Sequence, residues 1–261
     1  MAGAQAREIP KPALRSSTVL VLDEGTAEPL LAKQPGTPAP IASITKLMTA
    51  LVVLEADQPL DEVLTVSQED VAHGKGTASR IAVGTRLSRG DLLHLALMSS
   101  ENRAAHCVGR NYPGGLPALV TAMNAKARAL GMTQARFVEP TGLSSRNVAS
   151  AADLARLISA ASENPVIRSY TTDKQHAVVM RRRQVEFHNT NSLVDKPGWD
   201  IVVQKTGYIA EAGRCLVMKA VIRGRSIVMV LLDSYGKYTR VADAKRVRDW
   251  LEVTLPPGAS G

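Results

Sequence analysis

Pro40-Ile41-Ala42-Ser43-Ile44-Thr45-Lys46-Leu47-Met48-Thr49-Ala50-Leu51-Val52 marks the point where a strand-rich start turns helical. Ile44, Leu47, Met48, Leu51 and Val52 fall at i, i+3, i+4, i+7 and i+8, the apolar stripe of an amphipathic helix. Upstream, residues 17–23 read as a strand, with Val19 to Leu22 apolar and Asp23-Glu24-Gly25 as a turn signal. Residues 29–33 complete a hairpin. Downstream, helices are expected at 67–72, 88–98, 102–111, 116–130 and 150–162. Pro165 closes the last of these, because proline cannot continue a helix.

Beyond Pro165 the strand period returns. Residues 177–180 and 184–188 flank Arg181-Arg182-Arg183 as a hairpin, and residues 200–204 lead into Lys205-Thr206-Gly207. Residues 214–222 and 226–232 are joined through Arg223-Gly224-Arg225, a hairpin turn signal. A final helix carries Val241, Ala244, Val247, Trp250 and Leu251 on one side. Strands from both ends therefore bracket a helical middle. The economical fold is α/β (α+β): one antiparallel sheet built from both chain ends and flanked by helices, with an inserted helical lobe. Residues 15–42 plus 166–253 form the sheet lobe and 43–165 the helical lobe of one domain, with tails at 1–14 and 254–261.

Composition narrows the function. The 261 residues are 45% hydrophobic and 21% charged, which excludes disorder for the bulk of the chain. No apolar run reaches the roughly 18 residues of a transmembrane helix. Cys107 and Cys215 stand far apart without ligand spacing, so a zinc site or a disulfide scaffold is disfavoured, while one disulfide between them stays open. His73, His94, His106, His176 and His188 show no ligand spacing either; no metal and no cofactor is expected. The 32 Lys plus Arg against 24 Asp plus Glu give +8, yet the densest cluster is only Arg181-Arg182-Arg183 and aromatics are 3%. A solvated basic surface is the better reading, and no nucleic-acid partner is expected. The first six residues lack a hydrophobic signal core, which suits a cytosolic protein or a mature form of an exported one.

Three short motifs carry chemistry. In Ser43-Ile44-Thr45-Lys46, a three-residue offset on a helix sets a lysine amine within reach of a serine hydroxyl. Serine becomes nucleophilic once a base takes its proton, and lysine serves as that base when burial and neighbouring charge lower its pKa. Ser234-Tyr235-Gly236-Lys237 has the same spacing but reads as the loop before the last helix. Ser100-Glu101-Asn102 lies between two helices, where a hydroxyl can relay a proton and an amide can hold a carbonyl. Ser145-Arg146-Asn147 and Ser162-Glu163-Asn164 match that pattern as turn and cap. Lys205-Thr206-Gly207 ends an apolar strand. Its cation and hydroxyl suit a carboxylate, and its glycine lets an extended substrate approach the backbone. Each motif alone is weak. A helix-borne S-x-x-K, an inter-helix S-x-N and a strand-borne K-T-G in this order form the signature of the penicilloyl-serine enzymes.

The longer stretches agree. The segments 40–50, 91–105, Phe137-Val138-Glu139-Pro140-Thr141-Gly142-Leu143 and Asn189-Thr190-Asn191-Ser192-Leu193 resemble the low-molecular-mass penicillin-binding proteins, D-alanyl-D-alanine carboxypeptidases and endopeptidases. Lys205 to Ile209 with Glu211 to Cys215 is most similar to the endopeptidase branch, the penicillin-binding protein seven type. The resemblance covers residues 17–253. It implies a β-lactamase/transpeptidase-like fold and hydrolysis of D-alanyl bonds in peptidoglycan, in particular the D-Ala to diaminopimelate cross-link. It also implies covalent inhibition by β-lactams and a periplasmic location, the signal peptide having been removed from this form.

Carried onto this chain, the resemblance implies that Ser43 attacks the D-Ala carbonyl and that Lys46 is the base. Lys205 would help keep Lys46 neutral and, with Thr206, draw the substrate carboxylate. Ser100 would pass a proton to the leaving amine, and Asn102 would fix the acyl side chain. Gly207 gives the substrate access to the strand, and the backbone N–H groups of Ser43 and Tyr208 would form the oxyanion hole. Three rival readings stand beside this one: a carboxypeptidase acting on pentapeptide stems, a class A β-lactamase using Glu139, and a non-catalytic peptidoglycan-binding module. The positive charge suits approach to a carboxylate-rich wall polymer or peripheral contact with anionic lipid headgroups.

Overall fold

Val19, Val21 and Leu20 are all buried, but they enter two different cores. Successive strand residues point to opposite faces, so an apolar run of this kind belongs in a sheet covered on both sides. The computed structural model describes residues 9–72 and 78–256 and has that layout. Strands β1 (Ser16–Asp23) and β2 (Glu28–Lys33) form the expected hairpin, and the two-residue β3 (Ala39–Pro40) leads to helix α1 (Thr45–Glu55). Then come β4 (Val63–Thr65), β5 (Arg86–Ser88), α2 (Arg89–Met98), α3 (Asn102–Arg110) and α4 (Gly115–Ala129). They are followed by β6 (Val148–Ala149), α5 (Ala151–Glu163) and α6 (Pro165–Thr172). The hairpin β7 (Gln175–Met180) and β8 (Arg183–His188) precedes β9 (Asp200–Ile209), β10 (Gly213–Ile222), β11 (Arg225–Ser234) and α7 (Thr239–Thr254).

The main sheet has five strands in the order β2-β1-β11-β10-β9, all antiparallel. Both ends of the chain build it, as the strand pattern requires. Helix α7 covers one face through Ala244, Val247 and Leu251, against Val19, Leu216 and Met229. Buried Asp243 ties that helix to the first strand by accepting from Ser16 N at 2.8 Å and Ser16 Oγ at 2.7 Å. The other face packs on α5 and the helical body through Leu20, Val217 and Val230. Strand β9 lies at the sheet edge, the position from which it meets Ser43.

Several local expectations need correction. Residues 67–72 form only a 3₁₀ turn at Gln68–Asp70. Asp70 caps Ser67 N and is held by Arg110 and His106, which spend its carboxylate on tertiary contacts rather than on a longer helix. The histidine at 73 lies outside the described residues. Pro165 does not return the chain directly to strand. It occupies the first position of α6, where its missing N–H costs nothing, and Asn164 caps that helix. Lys205-Thr206-Gly207 sits inside β9 rather than at its end, because Tyr208 and Ile209 continue the pairing with Arg214 and Gly213. Cys107 and Cys215 are both buried free thiols, so the disulfide is absent.

Candidate active site

Helix α1 explains the first element of the site. Every residue from Thr45 to Val53 is buried, so the helix is central rather than a surface helix with one dry stripe. Its lysine is therefore buried too: Lys46 is 1% exposed. Ser43 lies one turn earlier, in the 3₁₀ turn Ala42–Ile44, and keeps partial access to solvent. Ala42 adopts a left-handed φ of 48°, a strained setting immediately before the serine.

Lys46 Nζ stands 2.8 Å from Ser43 Oγ. Its other contacts are Asn102 Oδ1 at 2.8 Å and the carbonyl of Thr141 at 2.6 Å. The latter two groups can only accept. A neutral amine has two hydrogens and one lone pair, so the two carbonyl-type oxygens take the hydrogens and the lone pair is left for the serine O–H. Burial pushes the Lys46 ammonium down to about 7, against an opposing pull from Glu139 and Glu101.

Ser100 follows the end of α2 with a φ of 62°, between Ser99 and Glu101, whose N–H groups both close on the Leu95 carbonyl. In this turn its hydroxyl accepts from Lys205 Nζ at 2.9 Å. Lys205 is fully buried, and its pKa falls well below the usual lysine range through burial and the charges of Lys46 and Arg240. Burial is the main cause of the lowered pKa at both lysines. Thr206 Oγ1 shares a 2.6 Å hydrogen bond with Thr190 Oγ1. Gly207 is tightly packed: a Cβ there would lie 3.1 Å from Ser43 N and from the Ile41 carbonyl. The edge strand thus runs against the backbone of the serine. Tyr208 follows, itself 56% exposed, with the Arg214 guanidinium 4.5 Å from its ring centroid.

All eight site residues singled out in the sequence lie along one interface of α1, the α2–α3 turn and β9. Four further contributors join them, three of which lie in the family-like stretches 137–143 and 189–193, while Arg240 carries no local signal. Arg240, in the first turn of α7, donates to the Gly207 carbonyl at 2.8 Å and keeps a buried Nε without a partner among the described residues. The Thr141 carbonyl and Thr190 hydroxyl reach the site from loops. Glu139 spends both oxygens inside its own loop: it accepts from Thr141 N at 2.6 Å, Gly142 N at 2.7 Å and Asn147 Nδ2 at 2.7 Å. Only the finished fold puts these groups beside the motifs. The look-alike patterns are elsewhere. Tyr235 is 91% exposed in the β11–α7 loop, Asn164 caps α6, and Asn147 is buried in the Glu139 loop.

A family model described as D-alanyl-D-alanine carboxypeptidase, peptidase family S11, matches residues 5–236. The chain belongs to this family. The D-alanyl-D-alanine endopeptidase of Pseudomonas aeruginosa is 48% identical over 252 residues, which cover 95% of this chain and 81% of that protein. The Escherichia coli D-alanyl-D-alanine endopeptidase is 44% identical, with 96% and 81% covered. Among solved structures, the Streptomyces K15 DD-transpeptidase superposes with a TM-score of 0.86 at 25% identity, over 93% of this chain and 98% of that one. The fold is therefore the penicillin-binding-protein type of α/β fold, and the protein is a serine-type D,D-peptidase, a hydrolase.

Proposed function

We propose that this family member is a D,D-endopeptidase of peptidoglycan, acting through an acyl-Ser43 intermediate. Ser43 Oγ adds to the carbonyl of the D-Ala residue as Lys46 takes the hydroxyl proton. The N–H groups of Ser43 and Tyr208 receive the developing oxyanion. Collapse breaks the C–N bond, and the proton passes by way of Ser100 to the leaving amine. Water then adds to the ester and frees Ser43. Lys205, Thr206 and Arg240 draw the carboxylate of the leaving residue, while Asn102 holds the acyl side. The supporting observation is the Lys46–Ser43 contact of 2.8 Å at a buried amine with two hydrogens already committed.

The cross-link is the favoured bond because both relatives described above carry the endopeptidase name at 44–48% identity. The β-lactamase reading loses support from Glu139. A deacylating glutamate must hold a water, whereas this carboxylate is saturated by backbone and Asn147 donors. A periplasmic setting follows from the substrate. No helix among the described residues is long and apolar enough to cross a membrane.

Incubation of the protein with a cross-linked tetrapeptide dimer, followed by mass spectrometry, tests the reading. The dimer is expected to gain one water and yield two monomers, and benzylpenicillin is expected to block this by adding one equivalent to Ser43. Unchanged dimer together with rapid destruction of many equivalents of penicillin would support a β-lactamase instead.

A further inference from the structure

A hollow of about 510 Å³ has Ser99 and Glu101, the two chain neighbours of Ser100, among its walls, together with Ser79, Arg80, Phe187 and His188. Its position follows from connectivity. Ser99 and Glu101 flank Ser100, whose hydroxyl meets Lys205. His188 is two residues before Thr190, whose hydroxyl meets Thr206. The hollow therefore lies within one or two chain positions of Ser100, the proposed proton relay, and of Thr190, which meets the proposed carboxylate-binding Thr206. An endopeptidase must accommodate there a leaving group much larger than a single D-alanine, namely a second stem peptide bearing further carboxylates.

One wall of the hollow is rigidly built. The Arg80 guanidinium carbon lies over the Phe187 ring, 3.9 Å from its centroid, and the group donates to the Glu186 carbonyl at 2.8 Å. Ser79 Oγ donates to Glu101 at 2.7 Å, and Arg103 donates to the Ile81 carbonyl at 2.7 Å. Residues 79–81 are thus clamped between α3 and β8. The clamp presents a stacked cation whose remaining donors make no hydrogen bond to a described residue. A guanidinium fixed by stacking and one anchor keeps its planar fork for a carboxylate and loses little entropy on binding.

We propose that this hollow is the subsite for the second stem peptide, with Arg80 pairing a carboxylate of that stem and thereby favouring cross-linked over uncross-linked substrate. The proposal rests on the endopeptidase reading and adds the part of the substrate that Ser43 does not touch. Arg80 acts by binding and takes no part in proton transfer.

The test compares the wild type with Arg80→Gln on three probes: a tetrapeptide dimer, the same dimer with its second-stem carboxylates amidated, and benzylpenicillin, which brings no second stem. Arg80→Gln is expected to lower kcat/KM for the dimer about tenfold, mainly through KM, while the penicillin acylation rate moves less than twofold. Amidation should cost the wild type a similar factor and the variant less than twofold, and Arg80→Lys should restore part of the loss. A normal dimer rate in Arg80→Gln overturns the proposal. So does a parallel fall in penicillin acylation, which would make Arg80 a support of the Ser100 turn. If the wild type cleaves no dimer yet is acylated at Ser43, the endopeptidase reading fails and the subsite falls with it.

Discussion

Lys46 Nζ and Ser43 Oγ are 2.8 Å apart, and the two other partners of the amine, Asn102 Oδ1 and the Thr141 carbonyl, can only accept hydrogens. The hydrogen-bond arrangement therefore aims the lysine lone pair at the serine. Burial supplies the second condition by making the neutral amine accessible near neutral pH.

In the proposed mechanism Arg240 extends this arrangement to the substrate. Its guanidinium rests on the Gly207 carbonyl at 2.8 Å and keeps a buried Nε without a partner among the described residues. Replacing Arg240 by Gln is expected to reduce acylation by a carboxylate-bearing substrate about tenfold to a hundredfold, the cost of one buried charge-assisted contact of about 1.5–3 kcal/mol. Stopped-flow acylation with paired substrates, one carboxylate and one methyl ester, checks this. The ester should show little further loss in the variant.

Glu139 influences Lys46 by charge rather than by handling water. Its carboxylate raises the Lys46 pKa, so Glu139→Gln removes a stabiliser of the ammonium. The acid limb of the acylation profile should move to lower pH. The penicillin adduct should persist as long as in the wild type. Lost charge-assisted hydrogen bonds should lower stability by roughly 1.5–3 kcal/mol, read from urea denaturation. A variant whose adduct lifetime lengthens greatly would restore the deacylating role to Glu139.

Gly142 is the tightest backbone position near the site. It has a φ of 83°, and a Cβ there would come within 1.9 Å of the Ala42 carbonyl oxygen. Gly142→Ala must displace either the turn that carries Ser43 or the loop that supplies the Thr141 carbonyl. Conformational strain alone costs about 1–3 kcal/mol, and a shift of about 1 Å in the nucleophile can cost a hundredfold in rate. Thermal unfolding and penicillin acylation should both reveal the change.

The same geometry explains what was legible in the sequence. The motifs at Ser43, Ser100 and Lys205 are local, each held by one short turn, helix or strand, and their spacing and order survive as a one-dimensional pattern. The main strands and helices are readable for the same reason, since the apolar run Val19 to Leu22 lies within one strand and the apolar spacing of Ile44, Leu47, Met48, Leu51 and Val52 within one helix and its N-cap. Arg240 and Thr190 are different. Their roles come from a first helical turn and a loop that meet β9 only after the sheet closes. Pro165 shows the converse limit. The same residue that stops a helix can start one, and Asn164 decides the outcome by capping the two following N–H groups. Residues 67–72 have helical periodicity, but the demand for Asp70 by Arg110 and His106 overrides it.

The most direct measurement is the pH dependence of benzylpenicillin acylation, followed by intact mass and by mapping the modified peptide. The base must be uncharged, so the rate should climb as pH rises through about 7 and level off above it, the direction set by the lowered Lys46 pKa. The adduct should map to Ser43, and Lys46→Met should cut the rate by at least about a hundredfold. A flat profile in the wild type, undiminished acylation of Lys46→Met, or an adduct on another serine would contradict the account.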